Sequence, residues 1–231
     1  MISIVIPTYN ESNSIKLLIP KIFDHAKKAD IDCEVIIVDD NSPDGTGAVA
    51  DELGQKYNVK TVHRRGKLGL SSAVLEGFKI ASGDILGVMD ADLSHDPAVI
   101  PGLVKAITEQ GADISVGSRY VPGGDIKNWP WRRLVTSKGA ILLSRVVTNV
   151  KDSTSGFFFV KKECIDGVKL NPIGFKIGLE IFVKARAKKI TEVPYVFTDR
   201  ASGTSKFNFK EIINYLVQLQ DLVSYKLSGN K

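Results

Sequence analysis

The chain has 231 residues, 43% of them hydrophobic and 25% charged, with a formal net charge of +5. That length suits one large domain, or a compact domain with an appended subregion, and the composition excludes disordered and collagen-like classes. No dense Lys/Arg run interleaved with aromatics is present, which argues against a nucleic-acid partner; the mild basicity suits phosphorylated substrates or anionic lipid equally.

Up to Arg119, short apolar strands alternate with helices. The strand at 2–6 ends on Pro7-Thr8-Tyr9-Asn10-Glu11. A helix is predicted over 14–28, capped by Ser12 or Asn13 and kinked or interrupted by Pro20. The strand at 35–38 runs into Asp39-Asp40-Asn41-Ser42, followed by a helix over 46–57, a strand at 59–62 and a helix over 70–81. The strand at 85–89 ends on Asp90-Ala91-Asp92, and Pro97 opens a helix over 97–110. The strand at 114–116 ends on Gly117-Ser118-Arg119. Strands separated by helices pair in parallel through right-handed crossovers, so an α/β fold with a doubly wound, mostly parallel central sheet is expected.

Beyond Arg119 the alternation lapses. A loop at 121–124, a helix over 131–147, a strand at 156–160, a helix over 175–187 and a strand at 192–198 are predicted. A small-residue loop at 201–205 separates Arg200 from Lys206. The chain closes with an amphipathic helix over 209–227, apolar at 209, 212, 213, 216, 219, 223 and 227. The N-terminus has no charged leader, and no apolar stretch reaches the ~20 residues of a membrane span. The chain is expected to be soluble or to lie on a membrane surface. Cys33 and Cys164 show neither metal-ligand nor redox spacing, and Cys33 reads as a small apolar residue in a reducing compartment.

In an open α/β sheet the strand ends share one rim, and ligands bind in the crevice there. Loops distant in sequence thus converge. Asp90 and Asp92 can both face a hard cation, Mg2+ or Mn2+, as an alternative to a solvated turn. One carboxylate of the Asp39-Asp40 pair can accept hydrogen bonds from a base or ribose; for Asp39, capping of the following turn is the competing role. Tyr9 and Glu11 are candidates for base stacking and hydrogen-bond acceptance, although a Tyr there can equally be packing.

The segments Ile4-Val5-Ile6-Pro7-Thr8-Tyr9-Asn10-Glu11, Val38-Asp39-Asp40-Asn41-Ser42-Pro43-Asp44, Gly69-Leu70-Ser71-Ser72-Ala73 and Asp90-Ala91-Asp92 resemble the inverting, family 2 glycosyltransferases of GT-A (Rossmann-like) fold. Gly117-Ser118-Arg119-Tyr120, Ser155-Gly156-Phe157-Phe158, Asn171-Pro172-Ile173-Gly174-Phe175-Lys176 and the stretch from Arg200 to Lys206 are similar to the family's polyprenyl-phosphate branch, the dolichyl-phosphate mannose synthases. The resemblance implies a catalytic domain over 1–207, with a nucleotide-sugar half at 1–120 and an acceptor half at 121–207, and an appended helix at 208–231. It implies that Pro7, Tyr9, Glu11, Val38 and Asp40 meet the nucleotide. Asp90, Ala91 and Asp92 would hold the metal and diphosphate, and Arg119, Lys176, Arg200 and Lys206 would meet phosphates or sugar. Asp92, Arg119, Arg200 and Lys206 are thereby the expected catalytic set. Ser94 stands where close relatives carry Gln and remains a candidate for metal or water. His95 reads as a helix-entry residue rather than a ligand.

The activity so implied is metal-dependent, inverting transfer of mannose from GDP-mannose to dolichyl phosphate or another polyprenyl phosphate. Transfer from UDP-glucose, a hydrolase using Asp90 as nucleophile, and a noncatalytic nucleotide-binding subunit are the competing readings. A chemical absence favours the phosphate acceptor: residues 152–157 hold only Asp152 where a sugar hydroxyl would need a general base. A phosphate monoester, with a second pKa of about 6, is already an anionic nucleophile and needs cations to place it. Arg200 and Lys206, with Arg132, Arg133 and Lys138 nearby, are candidates for that task; an exposed basic helix start is the other reading of Arg132 and Arg133. Trp129 and Trp131 suit a membrane interface, and helices 131–147 and 209–227 are candidates to lie on a bilayer at its cytoplasmic face. Anchoring by a separate membrane subunit stays open.

Overall fold

The computed structural model describes residues 1–171, 173–198 and 209–229, with the backbone alone at 209–210. In chain order the elements are β1 (Ile2–Thr8), α1 (Ser12–Lys28), β2 (Cys33–Asp39), α2 (Thr46–Gly54), β3 (Val59–His63), α3 (Leu70–Ile80) and β4 (Ile85–Val88). A 3-10 turn at Pro97–Val99 leads into α4 (Ile100–Thr108), then β5 (Ile114–Ser118), β6 (Asp125–Lys127), α5 (Trp131–Ser144), β7 (Phe158–Lys161) and α6 (Lys162–Ile165). The last elements are α7 (Ile177–Lys184), β8 (Ile190–Pro194), β9 (Val196–Thr198) and α8 (Phe209–Leu227).

The main sheet has the order β3-β2-β1-β4-β7-β5-β8. Its strands are parallel except β7, which is antiparallel to both β4 and β5. The reversal has a simple origin. Residues 119–157 leave β5 at the carboxyl rim and return there, so β7 must enter from that rim and run downward. Both faces are covered, as continuous apolar strands require. Ile2, Ile4, Ile6, Val35 and Ile37 pack with Ile15, Leu18, Ile19 and Ile22 of α1 and Leu103 and Ile107 of α4. Val5, Ile36 and Val38 point the other way, against Val74 and Phe78 of α3, with Ile181 and Phe182 of α7 in the same cluster.

Several expectations are corrected. α1 continues through Pro20 instead of breaking there. Pro20 removes one hydrogen bond to the carbonyl of the exposed Lys16, a solvent-facing group, while five buried residues anchor the helix on its other side. Neither Ser12 nor Asn13 caps α1; Glu11 occupies the cap, and Ser12 donates its backbone N–H to Asp44 Oδ2 at 3.1 Å. The single strand expected at 192–198 is two, because at Tyr195 the chain steps from β8 to the small β6–β9 sheet. β6 and α6 are too short for periodicity to reveal.

α8 buries Leu219 and Leu222 against Val147 and Leu179, and Tyr215 donates its hydroxyl to the Ala140 carbonyl of α5 at 2.6 Å. Only part of its apolar stripe is core, since Ile212, Ile213, Leu216 and Val217 remain exposed. No helix among the described residues is long and apolar enough to cross a membrane.

Gly87 of β4 lies under the Phe159 ring of β7, and an added Cβ would meet Phe159 Cε1 at 2.4 Å. Gly87→Ala is therefore expected to lower unfolding free energy by about 1–3 kcal/mol, measured as a reduced urea midpoint at unchanged m-value.

Candidate active site

The rim forms where β1, β2, β4 and β5 end, and its first two loops are laced together. Asn10 donates its backbone N–H to Ser42 Oγ at 3.0 Å and Glu11 donates to Thr46 Oγ1 at 2.9 Å. Asn10 and Asn41 both take left-handed backbone conformations, which Asn tolerates better than most side chains. Asp39 is buried and accepts from Thr8 Oγ1, Ser42 Oγ and the Ser42 backbone N–H, so of its two roles the turn-holding one is realised. Asp40 is buried too. It pairs with Arg64 and accepts from the Gly69 N–H at 2.9 Å. Pro7 and Tyr9 are half-buried, Val38 is fully buried, and the Lys67 ammonium sits 3.8 Å from the Tyr9 ring centroid.

Asp90 and Asp92 follow β4 on one tight turn, flanking the buried Ala91. Leu93 adopts φ 64°, a strained conformation for a leucine, and this turns the chain so that Ser94 folds back. Ser94 is buried, and its hydroxyl and N–H both donate to Asp92 Oδ1. The Asp90 N–H donates to His95 Nδ1 at 3.1 Å, which leaves the His95 proton on Nε2, 3.8 Å from Asp90 Oδ2. Burial lowers the His95 pKa and keeps the ring neutral. The ring stacks on Phe157 at 5.0 Å, with Tyr195 and Phe197 edge-on. His95 is thus a buried support for the Asp90 turn; the helix-entry residue is Asp96, which accepts from the Ala98 N–H. Gly156 lies against the Asp90 carboxylate, where a Cβ would come within 3.5 Å of Oδ2.

Arg119, at the end of β5, is buried. Its Nε and Nη2 donate to the two oxygens of Asp152 at 2.7 Å each, and its backbone N–H donates to Asp152 Oδ2 at 2.9 Å. Burial opposes the guanidinium's charge, but the bonds and charge of Asp152 outweigh it and raise the pKa above the ordinary arginine value. Arg119 and Arg133 both lie over the Trp129 ring, at 5.3 and 4.2 Å, and over Phe197. Lys176 completes the group. Its ammonium donates to the Thr154 carbonyl at 3.0 Å. Although the residue is half-buried overall, the ammonium is enclosed; burial, with Arg119 beside it, lowers its pKa to about 8.

The rim thus gathers Pro7, Tyr9, Glu11, Val38, Asp40, Asp90, Ala91, Asp92, Ser94, Arg119, Arg133 and Lys176. Arg132 is exposed and lies over Trp131, and Lys138 faces a neighbouring groove. Arg200 and Lys206 lie outside the described residues. Sequence reasoning passed over Arg64, which follows β3 at the same rim as the chosen carboxylates, and gave Asp152 no partner. The donor set at 90–94 suits a hard divalent cation: two carboxylates on one turn, with Asp92 oriented by Ser94. Among the described residues no three His, Cys, Asp or Glu side chains converge, so such an ion would complete its shell from water and substrate phosphate.

This crevice, at the carboxyl rim of a mostly parallel sheet with a reversed β7, is that of a GT-A glycosyltransferase. The chain belongs to glycosyl transferase family 2, whose family model matches residues 3–168. It is 48% identical over 229 residues to the dolichol-phosphate mannosyltransferase of Pyrococcus furiosus, covering 97% of this chain but 64% of that protein. It is 40% identical over 243 residues to the dolichol-phosphate mannosyltransferase of Saccharomyces cerevisiae, covering 99% of this chain and 89% of that one. In fold it resembles a mannosyltransferase from Pyrobaculum calidifontis solved with GDP-Man and Mn2+, at TM-score 0.63 and 15% identity, covering 95% of this chain and 64% of that one.

Asp152→Ala would leave Arg119 charged and without a carboxylate partner in the interior. A loss of about 3–5 kcal/mol is expected, read as a lowered denaturation midpoint. Retention of wild-type stability would mean that Arg119 reaches water.

Proposed function

We infer that the protein transfers mannose from GDP-mannose to dolichyl phosphate or another polyprenyl phosphate, with inversion at the anomeric carbon. The observation that carries this reading is the makeup of the acceptor side of the crevice. Arg119, Arg133 and Lys176 gather beside Asp90, and the one acid of the 152–157 stretch, Asp152, is fully buried in its pair with Arg119. Asp152 is thus no base for a hydroxyl acceptor, whereas a phosphate monoester needs none. The names of the relatives supply the mannose and the lipid phosphate, and the GDP-Man complex of a structural neighbour supplies the donor.

In this reading Pro7, Tyr9, Glu11, Val38 and Asp40 hold the nucleotide, with Arg64 fixing Asp40. Asp90, Asp92 and Ser94 would hold Mg2+ or Mn2+, which when bound would draw charge from the diphosphate. Arg133 and Lys176 orient the acceptor phosphate, together with Arg200 and Lys206. Arg119, engaged by Asp152, contributes its field and holds the loop. A lone pair on the acceptor phosphate oxygen forms the new bond to the anomeric carbon. The bond to the nucleotide's diphosphate breaks as it forms, its electrons leaving on the departing oxygen of GDP. No proton need move. Catalysis then rests on alignment and preorganised charge. The enzyme would work at the cytoplasmic face of a membrane, through the exposed apolar residues of α5 and α8 or beside a separate membrane subunit, with 1–207 as its catalytic unit and 208–231 as the segment appended to it.

Incubation with GDP-mannose or UDP-glucose, with and without dolichyl phosphate and EDTA, followed by lipid extraction, tests the reading. Mannosyl lipid is expected only from GDP-mannose with lipid and free metal. Asp92→Ala should lower that product at least a hundredfold while circular dichroism stays unchanged; glucosyl lipid instead of mannosyl lipid would replace the donor. The Lys176 ammonium is charged below pH about 8 and loses its proton above it. Accordingly kcat/KM should fall as pH rises through about 8, and Lys176→Arg should move that fall to higher pH. An identical alkaline limb in both proteins would remove Lys176 from phosphate binding.

A further inference from the structure

Tyr120, next to Arg119 in the chain, also lines a groove of about 240 Å³ together with Lys138, Ile141, Leu142, Arg145 and Lys151. Three of the six residues are cations and none is acidic. Among the described residues, Lys138, Arg145 and Lys151 have no carboxylate partner. The acid nearest in the chain's hydrogen bonding, Glu192, is committed to the backbone N–H groups of Lys151 and Asp152 and to the Ser118 hydroxyl. Among the described residues the groove lining is therefore net cationic, with Glu192 held on the backbone beside it.

Its apolar character is equally specific. Ile141 forms a buried floor, while Leu142 is 73% exposed on the wall. Trp131, Val135, Lys138 and Leu142 follow at helical spacings of four, three and four, so they share one face of α5, and all four are exposed. An exposed helix stripe of large apolar residues broken by a cation suits the boundary between headgroups and acyl chains.

We propose that this groove is a second lipid site, which takes the phosphate headgroup of an anionic bilayer phospholipid and is separate from the site of sugar transfer. Lys138, Arg145 and Lys151 receive the phosphate, and Ile141, Leu142 and the exposed α5 face meet the first part of the chains. The site would fix the protein on anionic membrane with Tyr120, whose ring lies 5.6 Å from the Arg119 guanidinium and whose hydroxyl donates to Ser137, between headgroup and crevice.

The test is flotation of the full chain with phosphatidylcholine vesicles, alone or containing about a fifth phosphatidylglycerol. Arg145→Glu/Lys151→Glu is compared with wild type, and turnover on a short, water-soluble polyprenyl phosphate is followed in parallel. Wild type is expected to bind the anionic vesicles more tightly, in a salt-sensitive manner. The double variant should lose more than about thirtyfold in that affinity, because two basic contacts to an anionic surface are lost and two repelled carboxylates are added, with soluble turnover unchanged. Equal flotation of both proteins on anionic vesicles overturns the proposal. Loss of turnover on the soluble acceptor would assign the groove to the acceptor path, and a change in oligomeric state on sedimentation would make it a self-contact; either result also overturns it. Turnover absent from wild type itself would count against the transfer reading and leave the flotation result standing.

Discussion

Asp152 has no solvent exposure, and both its oxygens are claimed by Arg119, whose side chain is itself almost wholly buried. Removing two such charges from water is expensive, and the bidentate geometry, the added backbone N–H and the Thr154 hydroxyl offset it. The pair thereby clamps the end of β5 to the loop before β7. Around it the remaining cations and rings take their places: Thr154 bonds to both Arg119 and Lys176, and Trp129 and Phe197 lie beneath two guanidiniums. The acceptor side of the crevice depends on this one interaction.

The donor side is organised by a second, quieter constraint. His95 supports the Asp90 turn from below through its acceptor nitrogen, and its ring is fixed by Phe157, which lies just before β7. Gly156 leaves the space that the Asp90 carboxylate occupies. The reversed β7 thus serves both halves. It brings Gly156 and Phe157 under the metal-binding candidates while the residues just before them hold Arg119 and Lys176. A fully parallel sheet would not return the chain to the rim between β4 and β5.

The two halves also differ in how charge is handled. On the nucleotide side Asp39 and Asp40 are satisfied internally, by Ser42 and Thr8 or by Arg64 and Gly69, so the loops are stiff before any ligand arrives. On the acceptor side Lys176 has no such ion pair among the described residues, and burial depresses its pKa. Stiff donor loops beside an acceptor pocket lined by cations are the arrangement expected where catalysis consists of holding two anions in line.

Much of this was legible in the residues alone. The continuous apolar runs ending on polar clusters defined the sheet and its rim, because a buried parallel strand must be apolar on both faces and its functional groups can only follow its end. Asp90, Asp92, Tyr9 and Asp40 were found in that way. What the chain could not disclose locally were pairings between residues far apart in sequence: Asp152 with Arg119, Arg64 with Asp40, and His95 among Phe157, Tyr195 and Phe197. The direction of β7, the separation of Lys138 from Arg133 on one helix, and the uncovered part of the α8 stripe belong to the same class. Each depends on which surfaces meet after the sheet has closed, and that is a property of packing, not of any local run of residues.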